Sequence, residues 1–72
     1  MKNESSYRVS LAAARVNAGL TQEDVAKALN KNKQTIVNWE NGRSNIDTAN
    51  FIMLCELYNA PQSAIFLPNK SS

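Results

Sequence analysis

The chain has 72 residues, a net charge of +2, 43% hydrophobic residues, 2 glycines and 2 prolines. That suffices for one small domain, with too few turn residues for a β architecture and too ordinary a composition for disorder, collagen-like repeats or low-complexity sequence. No apolar run approaches the roughly 20 residues of a membrane span, the opening "MKNESSYR" lacks the apolar core of a secretory signal, and one cysteine allows no intramolecular disulfide, so a cytoplasmic location is expected.

A first helix is expected over residues 6–18, "SYRVSLAAARVNA", capped by Ser5 or Ser6 and stopped by Gly19. A second opens at Thr21, "TQEDVAKAL". The Thr21 hydroxyl can accept a backbone N–H, and Glu23 and Asp24 oppose the positive helix end. Asn30 can end this helix because asparagine tolerates the left-handed conformation. Asn32 can cap a third helix, "KQTIVNWEN", which stops at Gly42. Asp47 or Thr48 caps a fourth, "ANFIMLCELY", whose core face is Phe51, Leu54, Cys55 and Tyr58. A short fifth helix, "PQSAIFL", begins at Pro61 and ends before Pro68. The expected fold class is all-α, a compact domain of five helices over residues 6–68, with flexible ends at 1–5 and 69–72. The fifth helix closes near the end of the sequence, so no sensory domain is expected.

Chemistry-bearing clusters are sparse. The sequence has no histidine and no group of acids at metal-ligand spacing, so neither an enzyme nor a cofactor is expected. Cys55 lies on the core face of the fourth helix and reads as a buried structural thiol. The charges are uneven. Lys27, Lys31, Lys33 and Arg43 surround the third helix, while Ser44 to Asn69 carries only Asp47 and Glu56. A basic patch beside short helices is the electrostatic footprint of a nucleic-acid binder.

The stretch "TQEDVAKALNKNKQTIVNWENGR" is more specific. Thr-Gln opening a helix, Ala26 where two helices cross, a tight turn, and Ile36, Trp39, Glu40 and Gly42 behind it resemble the helix-turn-helix of lambdoid phage repressors and Cro proteins, within the xenobiotic-response-element-like regulators. Arg15, Gly19 and Leu20 upstream fit the same pattern, which spans about residues 7–67. In three places the chain departs from it. Asn30 stands where the family usually has glycine, Lys31 where it has a small apolar residue, and Ile46 where it often has proline.

The resemblance implies a DNA-binding domain with its helix-turn-helix at the second and third helices. The third would lie in the major groove of a double-stranded operator. On a helical wheel Ile36 and Trp39 face inward, and Gln34, Val37, Asn38 and Asn41 face outward with Lys33 at the rim. Candidate base contacts are therefore Lys33, Gln34, Thr35, Val37 and Asn38. Gln34 and Asn38 could each pair with adenine and Val37 could meet a thymine methyl, giving an A/T-leaning half-site. Candidate phosphate contacts are Gln22, Lys31, Asn41 and Arg43, with Lys33 beside them. Arg15 and Glu40 are implied to form a structural ion pair joining the first and third helices. Met53, Leu57 and Phe66 offer apolar surface for a homodimer on a palindromic operator.

The expected function is thus a prokaryotic or phage transcriptional regulator, a repressor before an activator. The alternative from a different class is a protein-interaction module of this fold, such as an antitoxin or adaptor, with DNA binding secondary.

Overall fold

The computed structural model describes residues 8–68. The expected caps Ser5 and Ser6 and the expected flexible ends lie outside the described residues. In chain order the elements are β1 (Val9–Ser10), α1 (Leu11–Asn17), α2 (Gln22–Leu29), α3 (Lys33–Asn41), α4 (Thr48–Tyr58), a single 3-10 turn (Gln62–Ala64) and β2 (Ile65–Phe66).

Side-chain caps set the helix starts. Ser10 Oγ accepts from Ala13 N at 3.1 Å. Thr21 and Asp24 form a reciprocal capping box. Asn32 Oδ1 accepts from Thr35 N at 2.9 Å, and Asp47 Oδ2 accepts from Asn50 N at 3.2 Å. Hydrogen bonds hold both capping carboxyls below the usual carboxylate range. For Asp24 the main donor is the Thr21 backbone, and for Asp47 it is the Asn50 side-chain amide. A carboxyl with a lowered folded-state pKa stabilises above its unfolded value, and that contribution fades as the pH falls through the folded one.

All four helices end alike. Gly19, Asn30, Gly42 and Asn59 have positive φ, with Asn30 at 58°. In each case the next residue donates its N–H to the carbonyl five positions back, as Lys31 does to Ala26 at 2.8 Å and Arg43 to Asn38 at 2.9 Å. This is the Schellman arrangement, which satisfies carbonyls that the helix leaves open. Asn30 thus takes the backbone role that glycine has in the family pattern. Alanine at Asn30 is expected to cost about 1 kcal/mol, lowering the melting temperature by roughly 4–8 °C, while glycine there leaves it unchanged or higher. Thermal melts of Asn30→Ala and Asn30→Gly check this, and equal melting of the two variants would count against it.

One core gathers residues from every helix. Leu11 and Ala14 come from α1, Val25, Ala26 and Leu29 from α2, and Ile36 and Trp39 from α3. Leu54, Cys55 and Tyr58 come from α4, and Ile65 from β2. Phe51, expected on the core face of α4, is only half-buried at its margin. Ile46, where the family often has proline, also packs against the core.

Two of the expected elements are corrected. The first helix starts at Leu11 and not at residue 6, because Ser10 caps it and Val9–Ser10 is extended. The fifth helix does not form. After Pro61 the chain makes one 3-10 turn and then becomes a strand that pairs in parallel with β1, Val9 opposite Ile65 and Ser10 opposite Phe66. The physical reasons are local and tertiary together. So short a helix would carry the cost of nucleation with little propagation. Ile65 and Phe66 favour extended backbone, and Pro68 disfavours helix at Leu67. Val9 then supplies the partner strand. Four helices, one 3-10 turn and one pair of two-residue strands are the regular structure among the described residues.

Candidate nucleic-acid interface

The site is built on α2 and α3, which are joined by the turn Asn30–Asn32. Its inner side is fixed by Ile36 and Trp39, 1% and 6% exposed, which anchor α3 against the core. With these two residues turned inward, the opposite face of α3 meets solvent. Lys33, Gln34 and Asn41 are exposed, while Thr35, Val37 and Asn38 are half-buried.

Several of these side chains are already engaged. Thr35 donates its hydroxyl to Asn32 Oδ1 at 2.9 Å, so it offers outward only its methyl and an acceptor oxygen. Gln34 Nε2 donates to Asn38 Oδ1 at 3.0 Å, one helical turn along the outer face. The sequence expectation takes these two amides as separate base contacts, and the signal for their bond is their i, i+4 spacing.

Behind this face sits a charged knot. Arg15 Nε donates to Glu40 Oε2 at 2.7 Å and Arg15 Nη2 to Glu40 Oε1 at 3.3 Å, with the side chains 14% and 6% exposed. Arg15 Nη1 donates to the Leu20 carbonyl at 3.0 Å. Gln22 Nε2 donates to Glu40 Oε1 at 3.0 Å. The hydrogen bond to Glu40 raises the Arg15 pKa further, against the opposing effect of burial. Glu40 therefore accepts three hydrogen bonds facing inward, and its charge is matched before any phosphate could meet it. The surface around α3 is more cationic than the bare count of charges suggests. Nothing local in the sequence signals the Gln22–Glu40 bond, whose partners are 18 residues apart.

The candidate phosphate contacts fall on two sides of the motif. Gln22 and Lys33 line one open cleft of about 380 Å³ together with Thr21, Leu20, Glu23 and Arg15. One hydrogen of the Gln22 amide goes to Glu40, and the second is uncommitted among the described contacts. Asn41 and Arg43 are exposed at the other end of α3. Lys31 is exposed at the turn, where its charge helps to lower the Asp47 pKa.

The apolar candidates divide as well. Met53, 45% exposed, and Leu57, half-buried, line a shallow groove with Ala28, Leu29 and Glu56. Phe66, also 45% exposed, lies on β2 and does not line that groove. Val16 and Ile52, outside the expected apolar set, are exposed too.

Tyr58 adds a pH-sensitive feature. Its buried hydroxyl has no hydrogen-bond partner among the described residues, and burial, with the Glu40 charge adding to it, pushes its pKa up to about 12. The unfolded phenol ionises near 10.0, so stability present below that pH is lost as the pH rises towards about 12. Tyr58→Phe is expected to flatten this alkaline limb and to leave neutral-pH stability equal or higher, since no hydrogen bond to a described residue is removed. Urea midpoints at roughly pH 9 and pH 11 for both proteins test it, and parallel alkaline losses would contradict it.

Two helices crossing over a tight left-handed turn, the second anchored inward and showing amides and cations outward, define the class of helix-turn-helix nucleic-acid-binding domains. The helix-turn-helix family model matches residues 11–61. The chain belongs to this family, the xenobiotic-response-element-like helix-turn-helix proteins of Cro and repressor type, and is at that level a DNA-binding transcription regulator. Searches of the curated proteins and of the solved structures gave no significant match. Among the described residues no helix is long and apolar enough to cross a membrane.

Proposed function

We propose that the protein is a repressor of Cro type, acting in the cytoplasm, that reads the major groove of an operator with the outer face of α3. The observation that carries this reading is the division of α3 itself. Ile36 and Trp39 are buried, while Lys33, Gln34 and Asn41 stand in solvent with Val37 and Asn38 beside them. Docked with its N-terminal end foremost, α3 would bring Lys33, Gln34, Thr35, Val37 and Asn38 to base edges. Gln34 suits adenine and Val37 a thymine methyl, so the half-site leans to A/T where they touch it. Gln22, Lys31, Asn41 and Arg43 would hold the backbone, with the positive end of α2 adding to Gln22.

Repression follows from occupancy of promoter DNA. Dimerisation through Met53, Leu57 and Phe66 would match a palindromic operator with half-sites one helical turn apart. Binding-site selection from a random DNA pool, followed by titration at two salt concentrations, tests the reading. Wild type is expected to enrich a palindrome, and Arg43→Ala is expected to weaken binding to all sequences and lower the salt slope by about 1. Binding that is absent at low salt, or indifferent to salt, would instead favour a protein-interaction module.

A further inference from the structure

The outer face of α3 carries a hydrogen bond that ordinary groove docking does not require. Gln34 donates its Nε2 to Asn38 Oδ1 at 3.0 Å, in the open, on the face that the proposed docking turns towards base pairs. We infer that Asn38 is a positioning residue for Gln34, and that the two amides read neighbouring base pairs as one unit. The inference rests on the groove docking proposed above.

The chemistry follows from which atoms are left. A primary amide has two N–H donors and one carbonyl oxygen. Gln34 gives one donor to Asn38 and keeps the other together with its Oε1. Those two atoms are the donor and acceptor that adenine needs at N7 and N6. With its rotamer held by Asn38, Gln34 meets adenine without first losing the freedom of a long side chain. That ordering is worth up to about 2-fold in affinity, the most an exposed i, i+4 amide pair holds in advance.

Asn38 keeps both Nδ2 hydrogens and, because an amide oxygen has two lone pairs, one acceptor site on the Oδ1 that Gln34 also uses. It can therefore still pair with adenine at its own position, and what its bond to Gln34 adds is the orientation of the Gln34 amide.

Binding-site selection with wild type, Gln34→Ala, Asn38→Ala and Asn38→Asp tests this, alongside side-chain amide NMR of the DNA-free proteins. Asn38→Asp keeps an acceptor for Gln34 and removes the donors. It is expected to retain adenine at the Gln34 position and to change the base at its own, moving towards cytosine. Asn38→Ala is expected to lose selectivity at its own position and also to relax the adenine preference of Gln34 by about 2-fold. Gln34→Ala is expected to lose adenine at its own position and to leave the Asn38 position as in wild type. Without DNA, the Gln34 amide resonances are expected to move in Asn38→Ala and to stay near wild type in Asn38→Asp. If Asn38→Ala relaxes only its own position, or the Gln34 amide is unmoved in Asn38→Ala, the coupling is wrong while the groove docking stands. If wild type selects no sequence, or Gln34→Ala leaves its own position unchanged, the docking itself fails and the inference falls with it.

Discussion

Replacing Arg15 by alanine is expected to cost about 3–5 kcal/mol, because it strands the Glu40 carboxylate in a nearly closed site. A domain of 72 residues has on the order of 4–11 kcal/mol in all, so the variant should lose a large part of its cooperative unfolding transition. The cost has two sources. Glu40 loses its bidentate partner and keeps only the Gln22 amide. The Leu20 carbonyl also loses its guanidinium donor, just after the turn at Gly19. Glu40→Ala should be similarly harmful, since it leaves Arg15 unpaired. The double replacement Arg15→Met with Glu40→Leu should recover much of the loss, because apolar side chains remove the burial cost of both charges. Thermal melts of the singles and the double test this. A single variant melting within about 2 °C of wild type would show that the pair contributes little.

Ile36→Ala is the second large effect, expected at about 2–5 kcal/mol from the lost apolar contact and the cavity left behind. Ile36 is 1% exposed and sits inside α3. Its neighbour Trp39 is the only tryptophan, so fluorescence follows the same helix without a new label. The informative comparison is with Gln34→Ala. Truncation of Ile36 should lower the unfolding midpoint and weaken DNA binding in proportion to the unfolded fraction. Truncation of Gln34, which is exposed, should leave the midpoint in place and change binding alone. An unchanged midpoint for Ile36→Ala would mean that α3 is not held by its inner face.

What was legible in the sequence was local. Thr21, Asn32 and Asp47 declare helix starts, and Gly19, Asn30 and Gly42 declare stops, because capping and left-handed turns depend on residues a few positions apart. The spacing of Ile36 and Trp39 orients α3 for the same reason, and with it the outward set from Lys33 to Asn41. The fold class followed from these. The ends of the domain were not legible. Alanines argue for helix, and they hid the fact that Val9 is a strand residue whose partner is Ile65 at the other end of the chain. Propensity carries no term for a partner so far away. The same limit applies at the site. A pair such as Arg15 and Glu40 could be placed only by resemblance, and the Gln22–Glu40 bond not at all, because tertiary packing brings those atoms together.

The parallel pairing of Val9–Ser10 with Ile65–Phe66 also has a kinetic meaning. All four helices lie between the two strands, so this pairing closes the longest loop in the described chain, whereas each helix and its turn form from near neighbours. Loop closure grows costly only slowly with length, but the chain must meet that cost before the contact returns anything. The helices and the α2–α3 motif, which form from near neighbours, are therefore expected to assemble before the strand pair closes. Formation of the recognition unit then does not wait on the meeting of the two ends of the domain.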